Sequence, residues 1–182
     1  GDNAGRSVSC AGDVNGDGYD DILIGAWWSS EGGGWHSGQA YLIFGKPTGW
    51  SMDTNLSNSD ASFLGFERTE YFGDEVSSAG DVNGDGYDDI LIGAFHEGSG
   101  KRGQTYLYLG RSSGWSMDMK KSSANASFYG GEIQDYSGYS VSGAGDVNGD
   151  GYDDFLISAH WNDTGGLNAG QAYLFLGKAA GW

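Results

Sequence analysis

The residues best suited to chemistry lie in an aspartate-rich nonapeptide, DVNGDGYDD, which occurs at 13–21, 81–89 and 146–154. Each copy carries four aspartates, so the three copies together hold twelve of the 25 acidic residues of the chain. Carboxylates this close together repel one another and require solvent or a counter-ion. The nonapeptides therefore indicate a site that gathers a cation.

The spacing within each nonapeptide is that of the front half of a calcium loop. Oxygen-bearing side chains stand at positions 1, 3, 5 and 9, a glycine at position 6 permits a sharp turn, and the backbone carbonyl of position 7 can supply a further oxygen. Zinc would prefer His and Cys, which the nonapeptides lack. The position-8 aspartate, such as Asp20, is predicted to be a turn residue or to support the ligands rather than to bind the cation.

The residues after each loop distinguish it from an EF-hand. Position 12 is an isoleucine inside a β-type run, where an EF-hand has a glutamate and then a helix. Each loop is therefore expected to join two strands. The alternative is that the nonapeptides are Asn-Gly and Asp-Gly hairpin turns without a metal, but three copies with four carboxylates each would then destabilise the fold.

Composition limits the classes of partner. The 182 residues suffice for one domain, and the net charge of -16 argues against binding to nucleic acid or to an anionic membrane surface. Apolar runs are strand-sized, so no membrane insertion is expected. The single cysteine, Cys10, excludes an intrachain disulfide. We find no nucleophile–base motif among the residues, and the chain is predicted not to be an enzyme.

The whole chain is a single domain of internal repeats, with repeat 1 at about 1–66, repeat 2 at about 67–131 and repeat 3 at about 132–182. Each repeat offers short β-type runs separated by turn residues: a small-residue run, an apolar run such as DILIGA, an aromatic and aliphatic run, and, in the first two repeats, an ASF run. This pattern predicts an all-β fold, a β-propeller segment of three four-stranded antiparallel blades, the third lacking its outer strand.

Three blades are too few to close a ring, since propellers typically have four to eight. Completion is expected from more chain or from oligomerisation, for example from a second copy giving six blades. The alternative is a linear array or open sandwich of three β-units, which would leave flat edges exposed. Trp50 and Trp115 recur at matching positions and are expected to pack between blades.

The repeats resemble the FG-GAP repeats of the integrin alpha-subunit propeller and its bacterial relatives. Phe72-Gly73 matches the first element of that family and Gly93-Ala94 the second, with the aspartate-rich loop between them. In repeats 1 and 3 the phenylalanine is replaced by Ala4 and Ser137. The resemblance implies a propeller, seven-bladed in well-known members, with calcium in each loop and thus three ions here. The implied ligands are Asp13, Asn15, Asp17, the Tyr19 carbonyl and Asp21; Asp81, Asn83, Asp85, the Tyr87 carbonyl and Asp89; and Asp146, Asn148, Asp150, the Tyr152 carbonyl and Asp154.

The face opposite the calcium loops is the expected binding surface for a partner. Its connections between second and third strands vary between repeats and carry exposed aromatic and imidazole rings: Trp27, Trp28, Trp35, His96, His160 and Trp161. Such rings suit stacking on a sugar or holding a protein loop. The alternative is that they pack as caps on the blades.

The predicted function is thus a calcium-binding, non-catalytic module for adhesion, ligand recognition or assembly, at the cell surface or extracellular, where calcium is millimolar. Two alternatives are a carbohydrate-binding, lectin-like propeller and the non-catalytic propeller part of a larger secreted hydrolase or lyase.

Overall fold

Three consecutive sheets make up the fold in a computed structural model that describes residues 1–98 and 100–182. The strands of the first blade are β1 (Val8–Gly12), β2 (Asp21–Ala26), β3 (Gln39–Ile43) and β4 (Ala61–Leu64). Those of the second are β5 (Val76–Gly80), β6 (Asp89–Ala94), β7 (Gln104–Tyr108) and β9 (Ala126–Tyr129), with the short β8 (Met119–Lys120) preceding β9. The third contains β10 (Ser137–Gly145), β11 (Asp154–Ala159) and β12 (Gln171–Phe175).

Strand order confirms the predicted propeller segment. Within each blade the strands follow one another in sequence order and pair antiparallel, and the third sheet has three strands. Two single-turn 3-10 helices, Leu56–Asn58 and Lys121–Ser123, lie in the connections before the fourth strands. The three sheets do not close into a ring.

β8 is the element that the repeat pattern did not predict. It lies in the connection before the outer strand of the second blade, yet it pairs in parallel with β4 of the first blade through Phe63 with Met119 and Leu64 with Lys120. The first sheet therefore has five strands. A two-residue strand has no periodicity to read, which is why the sequence does not reveal it.

The core lies between the sheets. One cluster, which includes Leu23, Phe63, Phe72 and Ile90, fills the space between the first and second blades. A second, which includes Leu91, Leu107, Phe155 and Ile157, fills the space between the second and third. Each blade is thus stabilised by its neighbours rather than by a core of its own, as is typical of repeat architectures.

The apolar second strands show this dependence. All six residues of β6, in the middle blade, are buried. Ile22 of β2 is 36% exposed and Leu156 of β11 is 39% exposed, because each of these blades has a neighbour on one face. The same sequence pattern is therefore fully buried only where a blade stands on both sides.

Within the described residues, no helix is long and apolar enough to cross a membrane.

Candidate metal loops and aromatic face

The three nonapeptides form tight loops between the first and second strands of each blade, as predicted. In the first loop, the backbone N–H groups of Gly16 and Asp17 donate to Asp13 Oδ1 at 2.7 and 3.0 Å, and Gly18 N–H donates to Asp13 Oδ2 at 2.8 Å. The glycines at positions 4 and 6 have positive φ angles of 75° and 89°, which favour glycine. The position-1 aspartate therefore organises the whole turn.

The position-3 and position-5 side chains complete the loop. Asn15 Oδ1 accepts from Asp17 N–H at 2.8 Å, and Asp17 Oδ1 accepts from Tyr19 N–H at 3.0 Å. The loops at 81–89 and 146–154 repeat these hydrogen bonds with lengths that agree to within 0.1 Å. One local sequence thus produces one geometry three times.

The position-9 aspartate is buried and holds two separate segments together. Asp89 Oδ2 accepts from Val82 N–H at 2.9 Å within the loop, and Asp89 Oδ1 accepts from Gly110 N–H at 2.7 Å beyond the third strand of the blade. Asp21 and Asp154 make the equivalent pairs of bonds. Burial raises the pKa of Asp89 to about 7 and that of Asp21 to about 6, against the lowering effect of these N–H donors.

The loops fit calcium in donor chemistry. Their side-chain donors are all carboxylate or amide oxygens, the ligands that a hard cation prefers. A carboxylate has about four acceptor sites, so the two N–H bonds of a position-9 aspartate leave acceptor capacity for a metal. However, among residues 1–98 and 100–182 no three His, Cys, Asp or Glu side chains converge as a metal cluster. The structure places the predicted ligands of each copy in one loop, and calcium binding by that loop stays a prediction.

The predicted aromatic residues lie in the connections between the second and third strands, at the other end of those strands from the loops. In the first blade the His36 ring stacks against Trp28 at 4.5 Å and against Trp35 at 3.8 Å between centroids. Trp28 is 38% and Trp35 57% exposed. Three of the rings in this connection therefore present a joined aromatic surface to solvent.

Two tyrosines that we did not predict as site residues connect the blades on this side. Tyr71 lies 4.9 Å from Trp27 of the first blade and 4.7 Å from His96 of the second. Tyr136 lies 5.3 Å from His96 and 5.1 Å from Trp161 of the third blade. Both occupy the turn before a first strand with positive φ (56° and 51°). Their repetition at one position of the repeat is the signal that could have identified them.

The rings form a continuous row, the aromatic face: Trp27, Trp28, Trp35, His36, Tyr71, Phe95, His96, Tyr136, Tyr139, His160 and Trp161. A cavity of about 200 Å³ opens in it at the junction of the second and third blades. Its lining consists of Phe95, His96, Tyr136, Tyr139, His160 and Trp161. All six predicted residues therefore belong to one surface, and three of them line a cavity.

The imidazoles of His96 and His160 are neutral at neutral pH. Burial, together with the nearby Lys101 charge, lowers the pKa of His96 to about 4, and burial also lowers the pKa of His160. Neutral rings favour stacking and hydrogen bonding over attraction of anions. The aromatic face is therefore chemically distinct from the acidic loops.

A buried ion cluster holds the backbone next to the aromatic face. Lys121 Nζ lies 2.6 Å from Glu70 Oε2 and also pairs with Glu97. Glu70 directly precedes Tyr71, Glu97 directly follows His96, and the Glu70 carbonyl accepts from His96 N–H. The cluster thus fixes the backbone on both sides of the Tyr71–His96 contact. Burial and the Glu97 charge raise the pKa of Glu70 above its ordinary value.

Comparison with known proteins identifies the repeats. The FG-GAP repeat model matches residues 4–43, 72–109 and 137–175. The chain belongs to the FG-GAP repeat family. Each FG-GAP match begins at or just before the first strand of a blade and ends within or just after the third, so it contains one complete loop. The family resemblance inferred from the motifs is confirmed.

Individual relatives include integrin alpha subunits and a phospholipase D. Integrin alpha-5 of Xenopus laevis is 33% identical over 162 residues, 88% of this chain and 15% of the relative. Integrin alpha-V of Gallus gallus is 32% identical over 164 residues, again 88% and 15%. Phosphatidylinositol-glycan-specific phospholipase D of Bos taurus is 33% identical over 168 residues, 90% and 19%. This FG-GAP chain thus spans less than a fifth of the length of these relatives.

Proposed function

We propose that the chain is a calcium-binding, non-catalytic propeller module that recognises a protein or carbohydrate ligand through its aromatic face. The observation that carries this proposal is the continuous row of rings with a cavity of about 200 Å³ at the second blade junction. Recognition surfaces commonly use such rigid aromatic anchors around a pocket. The FG-GAP family and the relatedness to integrin alpha subunits support the same role.

Calcium would stabilise the opposite side of the module. Three loops would each take one ion through the side chains of positions 1, 3, 5 and 9 and the carbonyl of position 7. A bound cation supplies the positive charge that offsets the mutual repulsion of these carboxylates. The other aspartates of each loop raise the pKa of the buried Asp21 and Asp89 beyond the effect of burial, and a bound cation would offset this repulsion.

The ligand would lie against neutral rings rather than charged groups. A pyranose presents an apolar face that stacks on Trp or Tyr, and a protein loop can place a side chain among the same rings. The cavity at the second junction would take the anchoring group, beside His160 and Trp161. Stacked Trp28, His36 and Trp35 would offer a second contact at the first blade.

Relatedness to integrin alpha subunits supports a cell-surface or extracellular location, where millimolar calcium would fill weak sites. The phospholipase D relative supports a second role, in which the same propeller is the non-catalytic part of a larger secreted hydrolase. Both roles make this chain non-catalytic. A panel of hydrolase substrates, run with and without calcium, tests this, because turnover by the isolated module would contradict both roles.

Metal binding is tested by native mass spectrometry during a calcium titration. We expect three bound ions at saturation and two in the single variant Asp81→Ala, because position 1 organises its loop. Magnesium at equal concentration is the control, since its smaller octahedral shell suits a flexible oxygen-rich loop less well. If the chain binds no calcium at millimolar concentration, the metal-binding part of the proposal is wrong.

Ligand binding is tested on a glycan array and on a displayed peptide library, both in calcium. We expect bound glycans or peptides to be lost from His160→Ala and from Trp161→Ala, which alter the cavity lining. Trp50→Ala is the matched control, because Trp50 is exposed but lies outside the aromatic face. Binding that survives both cavity variants would remove the recognition proposal while leaving the metal proposal intact.

A further inference from the structure

At both junctions between the three blades, the loop of one blade is bonded to the blade that follows it. At the first junction, Asp88, the position-8 residue of the second loop, accepts a hydrogen bond at Oδ2 from Asp13 N–H at 2.8 Å. At the second junction, Asp153 Oδ2 accepts from Asp81 N–H at 3.1 Å. Asp13 and Asp81 are the position-1 residues that organise their own loops. The supporting role predicted for position 8 is therefore directed at the loop of the preceding blade.

Backbone hydrogen bonds accompany this carboxylate at both junctions. At the first junction, Asp88 N–H donates to the Asp13 carbonyl at 3.2 Å, and Arg111 N–H donates to the Val14 carbonyl at 2.8 Å. The equivalent bonds at the second junction are 3.1 and 2.8 Å long. The two peptide groups that flank the Cα atom of a position-1 aspartate are thus both bonded to the next blade.

The glycines of each loop make room for these contacts. A Cβ placed on Gly12 would lie 2.2 Å from Asp88 Oδ2, and the equivalent distance at the second junction is 2.1 Å. A Cβ placed on Gly16 would lie 2.5 Å from the ring of Tyr87, and the equivalent distance at the second junction is 2.7 Å. Each of these two loops therefore packs closely against an aspartate and a tyrosine of the next blade.

The position-1 aspartate faces its own loop and the next blade at once. The Asp13 carboxylate accepts from the N–H groups of Gly16, Asp17 and Gly18, while the Asp13 backbone is bonded to Asp88. Displacing this backbone would therefore displace the carboxylate around which the loop is folded. Outer groups that orient a metal ligand typically change metal affinity by about 10- to 100-fold when they are removed.

We propose that Asp88 and Asp153 are positioning residues for the cation sites of the preceding loops, Asp88 for the loop at 13–21 and Asp153 for the loop at 81–89. This inference rests on the proposed calcium binding and adds that part of the affinity of a loop is set by a neighbouring blade. Holding the backbone of position 1 before the cation arrives reduces the conformational freedom that the loop loses on binding.

Calcium would in turn strengthen the junction beside its loop. Coupling between two sites is reciprocal, so a carboxylate that favours the binding-competent loop is itself held more firmly once the cation is bound. The loops would thus act on the contacts between blades as well as on the turns within them.

A calcium titration of the 182-residue chain, followed by NMR of individual backbone amides, tests this inference. The N–H groups of Gly18, Gly86 and Gly151 report on the three loops separately, because each donates to the position-1 carboxylate of its own loop at 2.8 Å. We expect Asp88→Ala to raise the Kd of the loop at 13–21 about tenfold, the change that ~1.4 kcal/mol produces. The other two loops should change by less than about twofold.

The displacement of the effect by one repeat separates positioning from other roles. Asp153→Ala should weaken the loop at 81–89 in the same way, whereas general destabilisation of the fold would weaken all three loops alike. Asp88→Asn keeps an acceptor oxygen for Asp13 N–H and removes the charge, so it should retain most of the affinity that Asp88→Ala loses. Asp20→Ala is the matched control, because Asp20 holds position 8 of the first loop and is exposed, and it should leave the Kd of that loop unchanged.

The possible outcomes distinguish this inference from the proposed function. If Asp88→Ala weakens the loop at 81–89 instead of the loop at 13–21, position 8 serves its own loop and the inference is wrong. Unchanged binding at every loop would also overturn it, as would equal losses in Asp88→Asn and Asp88→Ala, and calcium binding by the wild type would still stand. A wild-type chain that binds no calcium would overturn both.

Discussion

The loop side and the aromatic side of this propeller segment differ in how strictly they repeat. On the loop side, three nonapeptides reproduce the same hydrogen bonds with lengths that agree to within 0.1 Å. On the aromatic side, the equivalent positions after the second strands hold Trp27, Phe95 and His160, and the connections differ in length and contacts. One side of the blade is held constant while the other varies.

This difference indicates which half of each blade determines the stability of the fold. Repeated groups on the loop side are buried or backbone-bonded, as with Asp89, so changing them would leave N–H groups unsatisfied. Rings on the aromatic side are partly exposed and mainly contact other rings, so they tolerate exchange for one another. We therefore expect stability to depend on the loop side, and recognition on the aromatic side.

Calcium removal should have the largest effect on stability. At a free concentration of ~100 times Kd, one filled site adds about 2.7 kcal/mol to the free energy of unfolding, and three sites act in the same direction. Differential scanning calorimetry should show a melting temperature that rises with added calcium and falls with chelator. Equal melting temperatures in chelator and in millimolar calcium would remove the role of the loops as cation sites.

Asp89→Ala should cause the second-largest loss of stability, even without calcium. Removing this carboxylate leaves the buried Gly110 N–H without its acceptor and leaves Val82 N–H with only the Gly80 carbonyl at 3.1 Å, a cost of about 2 kcal/mol. Urea denaturation in chelator measures this loss apart from any metal effect. The exposed Asp20→Ala variant is the control and should lose less than about 0.5 kcal/mol.

Replacing a tryptophan of the aromatic face by alanine should reduce the stability less. Trp35 is 57% and Trp161 45% exposed, so Trp35→Ala and Trp161→Ala should each lower the free energy of unfolding by no more than about 1 kcal/mol. The same urea titration measures both. A loss as large as that of Asp89→Ala would show that the rings are structural caps, and the contrast between the two sides would fail.

The smallest expected effect is the acid dependence contributed by His96. Its folded pKa of about 4 lies below the ordinary value, so the unfolded chain binds more protons as pH falls from about 7 to 4, and stability is lost in that range. Because the ring is partly exposed, we expect less than about 1 kcal/mol. The difference in unfolding free energy between the wild type and His96→Gln at pH 7 and pH 5 isolates this contribution. An unchanged difference would contradict it.

The sequence predicted the strands and loops within each repeat, and it did not reveal the contacts between repeats. Four-residue to six-residue β-type runs, fixed loops and the three-stranded third blade all follow from local patterns. The link from Asp88 to Asp13 N–H does not, since it joins residues 75 positions apart. Tyr71 was missed for the same reason: its partners, Trp27 and His96, belong to different blades.

Equivalent sequence positions also diverge where their neighbours differ. Trp50 and Trp115 lie in the same GWSMD segment, yet Trp50 is exposed and Trp115 packs against the core. Burial is a property of the assembled blades and cannot be read from one repeat. Within the candidate site, the sequence predicted which residues form the loops. It did not predict that Asp21, Asp89 and Asp154 hold the end of the third strand, because their partners lie 21 to 24 positions further along the chain.

The short strand β8 fastens the first two blades to each other through the outer strand of the first. It ties the connection of the second blade to β4, next to Ser62, whose N–H donates to the Ser116 carbonyl and whose hydroxyl accepts from Asp118 N–H. Under a tensile load across these two sheets, they should therefore travel as one body.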